Sequence, residues 1–277
     1  MPELPEVETI KNTLKRFVLS KTIKEVFVYW PNIIKKPDDV KQFAHLLAGQ
    51  TIRNIKRKGK FLLFYLDDHV LVSHLRMEGK YRFNNKKDPI EKHTHVIFQF
   101  TDDDELRYND VRKFGTMHLF PMGKEYLENP LSKLAPDPFD ERFTLNYFIK
   151  KLQKTNRVIK AVLLDQTVVS GLGNIYVDEV LFQARIHPKR KANTITEKEA
   201  KLIKKYAILT LENAVQLGGS TIRSYVNGEG EMGMFQQELY VYAQEDKPCK
   251  LCSSTIIKLK VAGRGTHICP RCQVEEK

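Results

Sequence analysis

Four cysteines near the end of the chain have the spacing of a metal site. Cys249 and Cys252 form one C-x2-C pair, and Cys269 and Cys272 form a second. Two such pairs supply the four thiolates of a structural zinc ion, so we predict one Zn2+ here. Two disulfides are the alternative, but a reducing compartment disfavours them. A catalytic zinc is disfavoured because four thiolates leave no open position, and the spacing of His267 fits a strand better than a fifth ligand.

Arg264 lies between the two cysteine pairs, in the segment Ala262-Gly-Arg-Gly265. Residues 255–261 and 266–268 on either side are predicted strands, so Arg264 is predicted at a hairpin tip. The flanking glycines allow a close approach of the backbone to a ligand, and a guanidinium group suits a phosphate. A solvated turn arginine is the alternative interpretation.

The chain begins Met1-Pro2-Glu3. If Met1 is removed, Pro2 carries a secondary α-amine. An α-amine ordinarily has a pKa of about 7.7–8.0, against about 10.4 for a lysine side chain, so more of it is neutral and nucleophilic. Its attack on a sugar aldehyde carbon gives an iminium ion that acidifies the neighbouring carbon for elimination, and Glu3 is placed to transfer protons. The alternative is an ordinary helix entry.

Composition favours a polyanionic partner. Lys and Arg number 46 and Asp and Glu 34, which gives a net charge of +12 and a pI near 9.4. Nucleic acid and an anionic membrane surface are the candidates. No apolar run is long enough to span a membrane, and the acidic start does not resemble a secretory signal, so we expect a cytoplasmic protein without membrane association. A length of 277 residues predicts about two domains.

The elements that must position these residues change character along the chain. An amphipathic helix begins near Leu4, and Pro5 suits its first turn. Short β-branched and aromatic runs then predict an antiparallel sandwich or barrel; they are residues 22–30, 51–57, 61–66, 70–75, 95–100, 105–108 and 116–120. Prolines over residues 121–140 predict a linker.

Residues 141–218 are predicted to be helical. The predicted helices are 157–165, 175–184 with Asn174 as N-cap, and one from the capping box Thr196/Glu199 to about Leu217. The glycine-containing residues 226–234 are predicted to be a loop that covers a bound base.

Six segments, of which the cysteine pairs are the last, occur in a fixed order along the chain. They are Met1-Pro-Glu-Leu-Pro-Glu-Val-Glu-Thr9, Lys58-Gly-Lys60, His74-Leu-Arg-Met77, Asp110-Val-Arg-Lys-Phe-Gly115 and Gly171-Leu-Gly-Asn-Ile-Tyr176, followed by the cysteine pairs as the sixth. Over essentially the whole chain this pattern resembles bacterial formamidopyrimidine-DNA glycosylase, the 8-oxoguanine DNA glycosylase/AP lyase. The resemblance implies an α+β fold. A two-layered β-sandwich with flanking helices is expected over 1–135, a helix-two-turns-helix domain over 136–240 and a zinc finger over 241–277, with DNA in a basic cleft.

The resemblance also implies an activity and roles for individual residues. A monomer would excise oxidised purines from double-stranded DNA and cleave the strand. Pro2 is implied as nucleophile, Glu3 as proton donor, Lys60 as acid/base and phosphate contact, and Arg264 in phosphate binding and elimination. Glu6 and Lys160 are implied in the substrate pocket. DNA contacts are implied for His74, Met77, His93, Arg112, Phe114, Lys154, Asn174 and Lys258, of which Met77, Arg112 and Phe114 fill the gap left by a flipped base.

Several alternatives stay open from the sequence. Met77 and Phe114 are also compatible with core positions, and Asn174 with a purely capping role. The chain departs from the family's usual Asp-Pro-Arg-Arg-Phe-Gly at Val111 and Lys113, for which we expect small effects on DNA contact. The alternative functions are the sister activity on oxidised pyrimidines and a non-catalytic protein that binds damaged DNA.

Overall fold

The computed structural model describes residues 1–220 and 233–275. They divide into two compact units. The N-terminal unit comprises Met1–Ser132 and Gly218–Gly233, and the C-terminal unit comprises Lys133–Leu217 and Met234–Lys277. Within the described ranges, no helix combines the length and apolar content needed to cross a membrane. The predicted domain bounds at 135 and 240 remain predictions, and residues 226–232 of the predicted covering loop lie outside the described residues.

The N-terminal unit is a β-sandwich flanked by two helices, as expected. One sheet has the strand order β1-β7-β8-β6 and the other β2-β9-β5-β4-β3. The elements in chain order are α1 (Leu4–Val18), β1 (Ile23–Val28), β2 (Ile34–Lys36), α2 (Val40–Leu47), β3 (Asn54–Lys58), β4 (Phe61–Tyr65), β5 (His69–His74), β6 (Lys80–Asn85), β7 (Thr94–Phe100), β8 (Asp104–Asn109) and β9 (Thr116–Pro121).

Apolar side chains from both sheets and both helices form the core of this unit. Helix α1 contributes Val7, Ile10, Leu14 and Val18, which recur at helical spacing and are at most 4% exposed. Every strand predicted from the sequence is present. Strands β2 and β6 and helix α2 were not predicted, because β2 has three residues and β6 (KYRFNN) is mostly polar.

The C-terminal unit combines helices with a small β-hairpin. Its elements are α3 (Leu145–Gln153), α4 (Ile159–Leu164), α5 (Asn174–Gln183), α6 (Glu197–Gln216), β10 (Ile257–Val261) and β11 (Arg264–Ile268). The capping box of Thr196 and Glu199 opens α6 as predicted. The prediction for α5 was wrong by one residue, since Gly173 is the N-cap and Asn174 is the first helical residue. The tight turn before the helix gives the extended cap conformation to the glycine.

Candidate functional site

The N-terminal segment is buried and is held by Glu6. Pro2 is buried, and Glu3 is 3% exposed. Oε2 of Glu6 accepts a hydrogen bond from the backbone N–H of Glu3 at 2.8 Å. Its other oxygen, Oε1, accepts from the backbone N–H of Ser220 at 2.8 Å and from the Ser220 hydroxyl at 3.2 Å. One carboxylate therefore fixes both the start of α1 and the segment after Gly219.

Gly219 is required for this close approach. Its φ is +81°, a backbone conformation that residues other than glycine rarely adopt. A Cβ at this position would lie 2.9 Å from Cγ and from Oε1 of Glu6. Glu6, implied from the sequence as a pocket residue, thus packs directly against the backbone that precedes the predicted covering loop.

Lys60 lies in the turn between β3 and β4 and is only 6% exposed. The turn is fixed to α1 through Arg57, whose Nε donates to Oε2 of Glu8 at 2.8 Å and whose Nη1 donates to the carbonyl of Gly59 at 2.9 Å. Gly59 adopts the left-handed conformation that the tight turn needs, with φ of 55°. Lys60 therefore belongs to the buried part of the sandwich and not to a solvated strand edge.

His74 is next to this turn, because it pairs with Phe61 in adjacent strands and its ring contacts the Phe61 ring edge-on at 4.5 Å. Burial, together with the charges of Arg76 and Lys60, lowers the pKa of His74 to about 3. Its Nδ1 accepts a hydrogen bond from the backbone N–H of Arg76 at 2.8 Å. The ring is therefore neutral near pH 7 with its proton on Nε2, which makes Nε2 a hydrogen-bond donor.

The carboxylate of Asp110 organises the loop of residues 110–115, which we name the wedge loop after the predicted role of Arg112 and Phe114. Asp110 is 1% exposed and accepts hydrogen bonds from the backbone N–H groups of Arg112, Phe114 and Gly115 at 3.1, 2.9 and 2.8 Å. Phe114 is 52% exposed, and the Arg112 guanidinium carbon lies 4.8 Å from the centre of its ring. The exposure excludes the core interpretation of Phe114.

Two further predicted contacts are also in the N-terminal unit. Met77 is 38% exposed, although a thioether side chain is usually buried. The carbonyl of His93 accepts a hydrogen bond from the N–H of Asp110 at 3.1 Å, which puts His93 at the base of the wedge loop. The N-terminal unit thus contains eight of the residues predicted to act on or contact DNA, together with the pocket residue Glu6. The eight are Pro2, Glu3, Lys60, His74, Met77, His93, Arg112 and Phe114.

In the C-terminal unit, Asn174 and Lys160 converge on the start of β11. The carbonyl of Gly265 accepts from Nδ2 of Asn174 at 2.9 Å and from Nζ of Lys160 at 3.2 Å. Arg264 is exposed directly before it and pairs with Val261 across a two-residue turn, so it starts the strand beside the hairpin tip. Lys160 is wholly buried, and its contribution to a substrate pocket remains a prediction.

Two buried carboxylates on α5 fix the zinc-finger region, and sequence reasoning missed both. Oδ1 of Asp178 forms an ion pair with Nζ of Lys160 at 2.6 Å, and Oδ2 accepts from the N–H of His267 at 3.0 Å. The carboxylate of Glu179 accepts from three successive N–H groups, those of residues 240–242, at 2.8–2.9 Å. Burial raises the pKa of Glu179, and the three N–H groups oppose that shift. The sequence signal that could have indicated them is a pair of adjacent carboxylates in an otherwise apolar helix.

The last two predicted contacts are on the surface of this unit. Lys154 is exposed at the end of α3. Lys258 projects from β10 and forms an ion pair with Glu245 at 3.0 Å. The structure does not bring either lysine into the cluster of Lys160, Asn174 and Gly265 within its described residues.

The four cysteine sulfurs lie within 4.8 Å of one another. The Cys249–Cys272 separation is 4.0 Å and the Cys252–Cys269 separation 3.4 Å. Zn–S bonds of about 2.3 Å in a tetrahedron put sulfurs about 3.8 Å apart, whereas disulfide sulfurs lie about 2.05 Å apart. The geometry therefore fits zinc and excludes the disulfide alternative. His267 lies outside this group, with its ring nitrogens towards Asp178 and Glu245.

Three family profiles match successive parts of the chain. They are described as the formamidopyrimidine-DNA glycosylase N-terminal domain (residues 1–117), the formamidopyrimidine-DNA glycosylase H2TH domain (134–226) and a zinc finger found in FPG and IleRS (246–274). A protein of Oceanobacillus iheyensis named formamidopyrimidine-DNA glycosylase is 61% identical over 273 residues, which cover 99% of this chain and 98% of the relative.

The chain belongs to the formamidopyrimidine-DNA glycosylase family.

Solved structures agree with this assignment. A glycine-to-proline mutant of Lactococcus lactis Fpg, in complex with DNA that contains Fapy-dG, superposes with a TM-score of 0.93 at 43% identity, covering 99% of this chain and 100% of that one. The wild-type Lactococcus lactis protein, in complex with DNA that contains an oxidised pyrimidine, gives 0.92 at 42% identity with the same coverage. The α+β fold, the zinc finger and the resemblance are thereby confirmed, and the protein is a DNA-repair enzyme of the glycosylase class.

Proposed function

We propose that this protein removes oxidised purines, namely 8-oxoguanine and formamidopyrimidines, from double-stranded DNA and then cleaves the strand. The observation that carries the proposal is the buried N-terminal segment, in which Glu6 binds the backbone of Glu3 beside Pro2. In a member of this family, such a segment supports a nucleophile that is held rigidly and shielded from water.

The chemical steps use the N-terminal residues. After removal of Met1, the neutral amine of Pro2 attacks C1′ of the sugar and forms a C–N bond, while the bond from C1′ to the base breaks and the departing base takes up the proton that the amine nitrogen loses. Glu3 donates a proton during ring opening, which yields an iminium ion on Pro2. Loss of a C2′ proton then expels the 3′ phosphate by β-elimination, and a second elimination expels the 5′ phosphate. Hydrolysis of the iminium frees the amine.

Other groups bind and shape the DNA. Lys60 and the Nε2–H of neutral His74 are donors for phosphate oxygens in the N-terminal unit. In the C-terminal unit Arg264 is a charged donor beside Asn174, whose amide has a second N–H besides the one given to Gly265. Met77, Arg112 and Phe114 fill the space of the extruded base, at a cost of unstacking of a few kcal/mol. Glu6 supports the proposed pocket through its hydrogen bonds with Glu3 and Ser220.

Zinc is structural in this proposal. Cys249, Cys252, Cys269 and Cys272 would hold the ion and leave it no open coordination position, so it supplies rigidity to the β10–β11 hairpin and no Lewis-acid chemistry. The protein acts as a monomer on damaged duplex DNA in the cytoplasm, associated with the nucleoid. The charge of +12 supports such a partner.

An incision assay tests the proposal against its two rivals. Purified protein is given end-labelled duplexes that contain 8-oxoguanine opposite cytosine, an oxidised pyrimidine opposite its partner, or no lesion. We expect cleavage of the 8-oxoguanine strand to a one-nucleotide gap. The pyrimidine duplex is included because a relative has been crystallised with such DNA. Preferred cleavage at that lesion would assign the sister activity. Tight binding without cleavage would assign the non-catalytic alternative.

A further inference from the structure

Lys113 makes a different contact from its neighbours Arg112 and Phe114 in the wedge loop. The two flanking residues stack on each other, with the guanidinium carbon 4.8 Å from the ring centre. The ammonium of Lys113 instead lies 3.9 Å from the centre of the Trp30 ring. A cation this close to an indole face makes a favourable cation–π contact, and tryptophan is the best aromatic partner for it.

The backbone of Lys113 is shaped for this contact. Its φ is 59°, in the left-handed region that residues other than glycine rarely adopt. The N–H of Lys113 donates to the carbonyl of Asp110 at 3.2 Å, while the Asp110 carboxylate binds the N–H groups that follow it. The left-handed backbone at Lys113 lies between Arg112 and Phe114, whose side chains stack on each other, while the Lys113 side chain contacts Trp30.

Trp30 is a fixed support for the lysine. It is half-buried and packs against the core of the sandwich. The N–H groups of Tyr29 and Trp30 both reach the carbonyl of His95, at 2.8 and 3.4 Å. The His95 ring in turn hydrogen-bonds through Nε2 to the carbonyl of Asp110 at 2.8 Å. The end of β1, the start of β7 and the wedge loop are thus tied together beneath Lys113.

From this geometry we propose that Lys113 and Trp30 are a positioning pair for the wedge residues Arg112 and Phe114. The inference rests on the proposed function. The cation–π contact keeps the exposed loop in the one arrangement in which its two wedge side chains project together. Without it, only a fraction of molecules holds the competent loop, and the apparent affinity for the extruded-base state falls by that fraction. The alternative is that Lys113 binds a phosphate of the DNA.

The test compares Lys113→Met, Lys113→Arg, Trp30→Leu and the double variant Lys113→Met/Trp30→Leu. Single-turnover excision of 8-oxoguanine opposite cytosine is measured, together with binding to a duplex that carries a tetrahydrofuran abasic analogue. We expect Lys113→Met to lower excision by about two- to fivefold, the value of an exposed cation–π contact. Lys113→Arg restores the rate because a guanidinium also stacks on indole. The double variant should lose no more excision rate than either single variant, because both substitutions remove the same contact.

Salt dependence separates positioning from phosphate binding. Loss of one phosphate contact reduces the slope of log affinity against log salt by about 0.9. A positioning role predicts an unchanged slope for Lys113→Met, whereas a reduced slope with additive losses in the double variant would overturn the inference. Lys24→Met, which removes an exposed charge from β1, is the matched control for net charge. Emission of Trp30, the only tryptophan, should change in Lys113→Met and not in the control.

Failure of this inference is distinguishable from failure of the proposed function. If the wild-type protein does not excise 8-oxoguanine, the proposed function is wrong. If the wild-type is active and Lys113→Met, with normal thermal unfolding, excises and binds equally well, the positioning pair is wrong. Trp30→Phe supplies a milder substitution should Trp30→Leu fail to fold, and it should give an intermediate rate because phenylalanine is the weaker cation–π partner.

Discussion

Replacement of Lys160 by methionine tests how the zinc-finger hairpin is held on the helical domain. The Lys160 ammonium and the Asp178 carboxylate are both 0% exposed and lie 2.6 Å apart. The ammonium also donates to Oγ1 of Thr266 at 2.8 Å and to the carbonyl of Gly265 at 3.2 Å. Methionine has similar length and no charge, so Lys160→Met leaves the Asp178 carboxylate buried without its cation.

Removal of one partner of a buried ion pair costs about 3–5 kcal/mol of stability. We expect a loss near the lower end, about 3 kcal/mol, because Asp178 keeps the hydrogen bond from the His267 N–H at 3.0 Å. A second change, Asp178→Asn, removes the stranded charge while keeping an acceptor for that N–H. The double variant should therefore be more stable than Lys160→Met alone.

The assay is urea unfolding followed by far-ultraviolet circular dichroism, with hydrogen exchange of the His267 amide as a local measure. Trp30 fluorescence is unsuitable, because Trp30 lies in the N-terminal unit. Lys189→Met is the control, since its pair with Glu275 is about half exposed on both sides (46% and 56%) and should contribute less than about 1 kcal/mol. Equal losses for Lys160→Met and the control would refute this reasoning.

The same variant bears on the predicted pocket role of Lys160. If Lys160 only supports the hairpin, Lys160→Met should lower excision equally for every lesion, because the effect is transmitted through Arg264 and the start of β11. A residue at the pocket edge should instead change the preference among lesions. A changed ratio of 8-oxoguanine to formamidopyrimidine excision would therefore favour the pocket role.

Three further predictions follow from individual contacts. Gly219→Ala should abolish excision because its Cβ would overlap Glu6, whereas Gly123→Ala, with the same φ of 81° and nothing within 4 Å, should keep it; equal activities would contradict the Glu6 contact. The pKa of His74 is lowered to about 3, so below about pH 6.5 the unfolded chain binds a proton that the folded chain does not. The free energy of unfolding therefore decreases as the pH is lowered. From pH 7 to 5 the wild-type should lose roughly 2 kcal/mol more than His74→Gln in urea unfolding; an identical pH dependence would exclude a buried neutral ring. Elemental analysis should give one zinc per chain, and Cys269→Ser should lose the metal and DNA affinity together, while retention of both would count against a structural zinc.

The features that the sequence predicted well are those in which neighbours along the chain determine the structure. The capping box of α6 and the two C-x2-C pairs need only local spacing, and both were predicted correctly. The β-sandwich was predictable because its core strands are short and rich in β-branched and aromatic residues. The roles of the N-terminal residues came from the resemblance, since a Pro-Glu start by itself is compatible with a simple helix entry.

The missed features depend on contacts between residues far apart in the chain. Strand β2 forms because Ile34 and Lys36 pair with residues of β9, more than eighty positions later. Glu179 binds the backbone of residues 240–242, and Lys113 contacts Trp30; neither contact has a sequence pattern. The N-cap of α5 was predicted one residue too late, at Asn174, because both Asn174 and Gly173 are suitable N-caps and only the backbone conformation distinguishes them.

The central claim is that Pro2 becomes the nucleophile, and borohydride trapping tests it most directly. The protein is mixed with a duplex that contains 8-oxoguanine opposite cytosine, borohydride is added, and the adduct is located by peptide mass spectrometry. We expect a chain that starts at Pro2, with the reduced sugar attached to the Pro2 nitrogen, and no adduct with undamaged DNA. An adduct on a lysine such as Lys60, or an active enzyme that retains Met1, would contradict it.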